Sequence, residues 1–428
     1  MSKKVCMFVW NHFTNDARVL RECTSLSDKG YQVDLICIHD PSDKDLLMQE
    51  KRNANFNIFR VRRYPIMLDL IMGILRRTKR NPWLLLPILV IWGTFLYFFP
   101  IVTISISILF VILFKMGIGP WLIKMNIFFR MVGRGLSTKY DIYHSNDLNT
   151  LIQGYILAKW RWRKKKLVYD SHEVQTSRTG YDSKIYSVIE GFLVKKVDSM
   201  IVENHTRAKY NEKLYSFYPS VVHNYPFKEI GESNDFISIH SLLNLPRDEK
   251  ILLYQGGIQV GRGLDKLIKA APLFDEGTLV FIGDGRLKPE LIEMTNKMGL
   301  NHKVKFIPKV PLRELPKYTK NAYLGFQVLN NVCFNHWSAS SNKLFEYIMN
   351  GIPVVACSFP EIKKVVEEEQ IGICVDSHDY KAIANAVNLL LRDENLRNKF
   401  SDNCLIAKDK YNWENEEKAL LEVYYQLS

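Results

Sequence analysis

The segment YQGGIQVGRGLDKLIKA (254–270) joins a strand pattern to a helix pattern through Gly256, Gly257, Gly261 and Gly263, with Arg262 among them. Glycines let a backbone approach a ligand closely, a helix amino end attracts anions, and an arginine pairs with phosphate through two donors. That chemistry suits a phosphorylated ligand. The segment matches neither the P-loop nor the GxGxxG fingerprint. A tight turn before a helix would look the same. FIGDGR (281–286) closes another strand with Gly283 and Asp284. In SNKLFEYIMNGIPVVA (341–356), Lys343 and Glu346 stand three apart near a helix start, so they share a face. The lysine would meet a phosphate, and the glutamate would accept hydrogen bonds from ribose hydroxyls. A solvated Lys–Glu pair is the plainer alternative.

A second group lies earlier. DSHE (170–173) puts Asp170, His172 and Glu173 at a strand end. A histidine beside carboxylates can orient a substrate or move protons, or simply bond within its loop. HSND (144–147) ends another strand with His144 and Asp147. NHFTNDAR (11–18) follows the first strand; Thr14 or Asn15 would cap the next helix, leaving Asp16 and Arg18 to face a cleft.

These residues need a frame, and the apolar pattern supplies one. Short apolar runs at 5–10, 33–38, 57–63, 140–144, 167–171 and 199–203 alternate with helical stretches at 16–29, 147–160 and 181–196. Residues 228–250 are polar and irregular, a linker. A second set follows, with strands at 251–255, 279–283, 304–307, 323–328 and 354–357 and helices at 263–274, 287–298, 312–320 and 341–350. Strands alternating with helices imply α/β architecture with parallel sheets. The expected layout is a Rossmann-like half over 1–227, a linker over 228–250, and a second Rossmann-like half over 251–410. A closing helix over 411–428 should pack back on the first half. Such halves take ligands at the carboxyl ends of their strands.

The chain has 428 residues, 47% hydrophobic and 24% charged, with a net charge of +13. That composition excludes wholesale disorder. Fourteen Lys and Arg but one acid, Asp69, fall in residues 51–140, so this stretch carries the whole excess. A nucleic-acid binder would spread its charge differently, and no nucleic-acid partner is expected. Within that stretch, residues 81–114 carry no charge at all. Pro100 divides them into 83–99 and 101–114, about 26 and 21 Å as helices, short of a bilayer's hydrocarbon core of about 30 Å. Arg76, Arg77, Lys79 and Arg80 precede the run, and Lys115, Lys124, Arg130 and Arg134 follow it. Basic residues on both shoulders place both ends on the cytoplasmic side. The expectation is a re-entrant hairpin within a membrane-associated insert, 65–136, facing an anionic membrane surface, with 121–134 lying along the interface. The seven cysteines are scattered without a CxxC pair, so free thiols are expected and no metal site. The opening MSKKVCMFVW runs straight into a strand pattern, so no signal peptide is expected.

Taken together, NDARVLRE, the YDSHE run, GGIQVGRGLDKLIKA, FIGDGR and SNKLFEYIMNGIPVVA resemble glycosyltransferase family 4, which has the GT-B fold. The resemblance covers nearly the whole chain except the insert. It implies transfer of a sugar from a nucleotide donor with retention of configuration and without a metal or other cofactor. By position, Arg262 matches the basic residue that contacts the donor diphosphate. Glu346 matches the second glutamate of the family's Glu, seven residues, Glu motif and would hold the ribose. Ser341, Asn342, Lys343, Leu344 and Phe345 lie in the same donor loop, with Gly256, Gly257, Gly283 and Asp284 completing it. His172 matches the histidine near the transferred sugar. Arg262, Lys343, Glu346 and His172 are the implied catalytic set, and Asn15, Asp16, Asp147, His172 and Glu173 would face the acceptor.

Three departures stand out. The family's usual Gly-Gly turn after the first strand is replaced by Asn11–Asn15. The first glutamate of the motif falls at Ser338, and another donor-site arginine falls near Gly257. Residues 335–341 must therefore replace the usual contact to the donor sugar. The implied protein is a membrane-associated, retaining, hexosyltransferase-type enzyme. It would act at the cytoplasmic face of the cell membrane, peripheral or monotopic, on a lipid-linked or cell-surface glycan acceptor. The alternative is an inactive relative serving as a membrane-bound partner of another glycosyltransferase.

Overall fold

The computed structural model describes residues 2–43, 45–115, 117, 119–175, 184–228 and 236–427. The chain divides into two compact units, residues 1–14 with 26–167, and residues 15–25 with 168–428.

The first unit is built on β1 (Lys4–Phe8), β2 (Gln32–Ile38), β3 (Gln49–Lys51), β4 (Phe56–Val61) and β5 (Ile142–Asn146), in the order β3-β4-β2-β1-β5. All pair in parallel except β3, which runs antiparallel on the edge of β4. Val5, Cys6, Met7 and Phe8 are fully buried, because a parallel strand is covered on both faces.

The insert leaves this sheet after β4 and returns to it at β5. It forms the helices Ile66–Arg80, Leu85–Phe98, Pro100–Lys115 and Gly119–Leu136, with one short turn at Pro82–Leu84. The apolar run breaks at Phe99–Pro100. Trp92 Nε1 donates to Ser107 Oγ at 3.2 Å, which ties the second helix to the third. The Leu85–Phe98 helix buries nothing, and Trp83, Tyr97 and Ile101 are 75%, 81% and 80% exposed. No helix among the described residues is long and apolar enough to cross a membrane.

The helix Gly119–Leu136, by contrast, is seated. Ile127, Met131 and Gly135 are buried beneath it. A Cβ on Gly135 would lie 2.5 Å from Leu157 Cδ1, so glycine is what lets this helix approach Leu148–Lys159. Asn126 Nδ2 donates to the carbonyls of Arg62 and Arg63, and the Arg134 guanidinium lies 3.5 Å from the Phe59 ring centre.

In the second unit, β6 (Lys166–Ser171), which crosses the division at Val168, pairs in parallel with β7 (Ser199–Val202), and β7 with β8 (Ser220–Val221). The other sheet contains β9 (Ile251–Gln255), β10 (Thr278–Ile282), β11 (Val304–Ile307), β12 (Ala322–Gln327), β13 (Val354–Cys357) and β14 (Gly372–Val375). Its order is β11-β10-β9-β12-β13-β14, wholly parallel, with an apolar core on each face. This is the doubly wound order, whose direction reverses between β9 and β12.

Several elements depart from the sequence reading. The edge strand β3, the helix His205–Tyr215 and the helix Ile239–Leu243 were not expected. The last of these lies inside the anticipated linker, with Ile239 fully buried and Asn321 bonding its first amide. Residues 181–183 of the expected 181–196 helix lie outside the described residues; the rest forms Lys184–Val194. The final helix, Trp413–Gln426, packs by Trp413, whose Nε1 donates to Ser25 Oγ at 2.8 Å.

Candidate functional site

The carboxyl ends of β9, β10 and β12 meet at the reversal in strand order, where an open α/β sheet leaves a crevice. The floor is backbone. Gly283 has φ +151°, and a Cβ on it would sit 2.0 Å from the Gly256 carbonyl oxygen. Gly285, at φ +158°, would likewise strike the Ile258 oxygen at 2.1 Å. Only glycine permits this crossing. Gly256 N donates to Ile282 O, and Ile258 N to Asp284 O, each at 2.9 Å. Asp284 itself is exposed and accepts from the Gly285 amide. The Gly257 carbonyl accepts from the Tyr254 hydroxyl at 2.9 Å.

Two cations converge on this floor. Lys343 projects from the helix Asn342–Met349 and is 7% exposed. Its stem lies along Gly256, where a Cβ would be 3.4 Å from Cδ, and its Nζ lies 5.2 Å from the Tyr254 ring centre. Burial, and next the charge of Arg262, push the Lys343 amine down to about 7. Arg262 is half-buried, and its Nε is buried without a hydrogen-bond partner. A buried lysine beside an arginine whose buried Nε is unsatisfied forms a receptive place for an anion.

Glu346 stands one helical turn beyond Lys343. It accepts from Gln255 Nε2 at 2.7 Å, and Gln255 Oε1 accepts from the Thr319 hydroxyl at 2.7 Å. Burial raises the Glu346 carboxyl above its usual range. Ser341 Oγ donates to Gln327 Oε1 at 3.0 Å, leaving Gln327 Nε2 buried and unpartnered. Asn342 is exposed at the helix start. Leu344 and Phe345 turn the other way, into the core, where Phe345 meets the rings of Tyr225 and Tyr411. Their side chains do not face the crevice.

The sequence reading left Ser338 as a gap, and the structure fills it. Ser338 is fully buried. Arg207 donates to its Oγ from Nε at 3.2 Å, and Asn204 Nδ2 donates to its carbonyl at 2.8 Å. The same arginine donates to the His172 and Asn335 carbonyls and pairs with Glu203. Asn335 in turn bonds both backbone groups of Val174. Arg207 thus ties the loop that carries His172 to the loop 335–338. The sequence assigns it no role, because nothing in NHTRAKY (204–210) marks a site. His336 lies beside the glycine turn, with Nδ1 3.2 Å from Asn330 O; burial, then the Arg262 charge, lower its pKa.

His172 Nε2 lies 3.2 Å from Asp170 Oδ2. Arg18 grips the same carboxylate from Nε at 2.8 Å and Nη2 at 3.0 Å, and pairs with Glu22 at 3.0 Å. Burial opposes the charge of Asp170, but Arg18 and His172 hold its carboxyl well below the usual range. Arg18 is therefore a buried structural partner. Asp16 accepts from Val19 N at 3.2 Å and caps the Ala17–Asp28 helix, a role the sequence suggested for Thr14 or Asn15. Asn15 is exposed and Glu173 half-buried. Asp147 belongs to the first unit, at φ +60° before the helix Leu148–Lys159.

Comparison with known proteins adds to this geometry. Residues 235–404 match the family "Glycosyl transferases group 1". A D-inositol 3-phosphate glycosyltransferase of Xylanimonas cellulosilytica is 28% identical over 194 residues, 44% of this chain and 45% of the relative. The match thus spans less than half the length of that relative. A protein of the same description from Nocardioides sp. is 26% identical over 318 residues, 67% of each chain. Sucrose-phosphate synthase from Thermosynechococcus elongatus superposes with TM-score 0.73 at 15% identity over 99% of both chains. HepE of Anabaena, solved in complex with UDP-glucose, gives 0.70 at 14% identity over 99% of both. Residues 235–404 are thus similar to the group 1 glycosyl transferases, within a chain whose fold is of the two-domain GT-B type.

Proposed function

We propose that this protein is a retaining glycosyltransferase that takes a sugar from a nucleotide donor. The observation that carries the reading is the pair of basic residues, buried Lys343 and half-buried Arg262 with its unpartnered Nε, over the glycine floor of the strand-order reversal. They would hold the donor diphosphate and stabilise it as it leaves, by fixed charge rather than a metal. Glu346, set by Gln255, would take the ribose hydroxyls. His172, oriented by Asp170, would position the sugar or the acceptor, whose hydroxyl attacks from the face the diphosphate vacates. The UDP-glucose complex of HepE supports a nucleotide-sugar donor.

The acceptor is proposed to be a lipid-linked glycan at the cytoplasmic face of a membrane. The exposed apolar helices Leu85–Phe98 and Pro100–Lys115, between basic shoulders, support that reading. The test is turnover of a panel of UDP- and GDP-sugars with membrane extract, for the full chain and for a form lacking residues 81–114. We expect transfer into the lipid fraction by the full chain alone. Transfer only to water-soluble acceptors, or full activity without 81–114, would refute the lipid acceptor. A second reading, an inactive partner of another transferase, draws on Ser338, which faces Arg207 instead of the crevice. Donor binding with no turnover of any sugar would favour it.

A further inference from the structure

The sequence KWRWRKKK (159–166) follows the helix Leu148–Lys159 and is used by nothing described so far. It places two tryptophans and six cations in eight residues. Trp160 is 78% exposed and Trp162 105%, beyond ordinary full exposure. Arg163 and Lys164 are exposed and make no ion pair among the described residues. A tryptophan pair costs solvation when held in water, and tryptophan beside lysine and arginine is the composition that sits at the headgroup level of a bilayer.

The position of the loop is fixed by a chain of contacts. Arg161 Nη1 donates to the Tyr143 hydroxyl at 3.1 Å, and that hydroxyl donates to Gly135 O at 3.3 Å. The loop is thereby tied to the carboxyl end of the helix Gly119–Leu136, while the apolar hairpin joins the amino end of the same helix. Eighteen residues separate the two sites by about 27 Å. The helix between them is not neutral ground. Its seated side buries Ile127, Met131 and Gly135, yet Trp121, Phe129 and Leu136 on the flank beside it are 62%, 62% and 58% exposed. Their spacing of eight and seven keeps them on one side of a helix. Exposed apolar groups thus run from the hairpin, along this helix, to the tryptophan loop, all within the first unit.

We infer that the loop 160–164 is a second membrane contact, which engages anionic phospholipid with Trp160 and Trp162 at headgroup depth and Arg163 and Lys164 on the phosphates. The helix Gly119–Leu136 then lies in the plane of the interface, and the first unit rests along the bilayer instead of hanging from the hairpin. This rests on the membrane reading proposed above. An RNA would also meet cations and aromatics, but the continuity with an apolar helix face and hairpin favours lipid.

The test is cosedimentation of the full chain with vesicles of phosphatidylcholine alone or mixed with phosphatidylglycerol. The variants are W160A/W162A, R163Q/K164Q and the form lacking 81–114, each checked for an unchanged thermal unfolding curve. R163Q/K164Q should weaken binding to the anionic vesicles by about fivefold per charge at low salt and little at high salt. W160A/W162A should weaken binding to both vesicle types. Binding by both loop variants equal to that of the native chain would overturn the inference. So would loss of RNA binding with vesicle binding intact. If the native chain itself ignores vesicles, the membrane reading falls first and takes this with it.

Discussion

Lys343 offers the sharpest quantitative test of the proposed donor site. With burial and Arg262 holding it near 7, about half of the empty sites carry a charged lysine at pH 7 and about 1% at pH 9. The displacement from 10.5 corresponds to about 5 kcal/mol against the charged form. A bound diphosphate reverses that balance, so the complex should take up a proton above pH 7. The sign follows: affinity is greatest where the empty site is already protonated and falls as pH rises. If only the charged form binds, the Kd for UDP or GDP should rise about 50-fold between pH 7 and pH 9. The neighbours do not produce this slope. Burial pushes Tyr254 up to about 12 and Cys357 up to about 11, and both stay neutral over the range. Glu346 is also raised by burial, so an E346Q variant is needed to separate it. Calorimetry in two buffers of different ionisation enthalpy reads the proton directly. Lys343→Met should bind more weakly at pH 7 and lose the slope. A Kd that is flat from pH 7 to pH 9, or a slope that survives in Lys343→Met, would refute the reasoning.

Other expectations follow from the geometry. Asp170→Asn removes the carboxylate from Arg18 and His172, and should cost about 3 kcal/mol of unfolding free energy in denaturant titration. Because the Asp170 carboxyl is held below its usual range, its contribution should be intact at neutral pH and fade only in acid, below the ordinary carboxylate pKa; the native chain should show that acid loss and Asp170→Asn should lack it. Gly283→Ala forces a Cβ into the Gly256 carbonyl, and should abolish nucleotide binding and lower Tm sharply. Gly299→Ala is the control: φ is +68° with nothing within 4 Å, so it should cost only about 1 kcal/mol of backbone strain. Equal losses in the two glycine variants would show that the crossing is not what demands glycine.

The second sheet was legible because its strands are continuous apolar runs: 251–255, 304–307 and 354–357 are strands at those bounds. β3, Gln-Glu-Lys, has no apolar face and is defined by pairing on β4, a tertiary fact that no local pattern carries. Lys343 and Glu346 could be read from their spacing, and they do share a helix face beside the glycine turn. Gln255, which sets Glu346, is simply the last residue of an apolar run. Arg207 could not be read at all: its importance comes from three partners in distant segments, Ser338, His172 and Asn335, besides the nearby Glu203. Leu344 and Phe345 show the opposite limit, since adjacency to a site in sequence places a helical side chain on another face.

The docking of Gly119–Leu136 has a consequence for how the chain is made. A parallel pair such as β1 and β5 needs a long connection in any case, and this helix, with its own buried residues, supplies the covering piece. The sheet can therefore close during synthesis before the hairpin has found any partner surface, which on the proposed reading is lipid. Until then the nascent protein carries a folded body and an uncovered greasy arm, a state prone to self-association. If the hairpin is a membrane arm as proposed, yield and solubility during expression should depend on the supply of bilayer surface more than on the stability of the sheet.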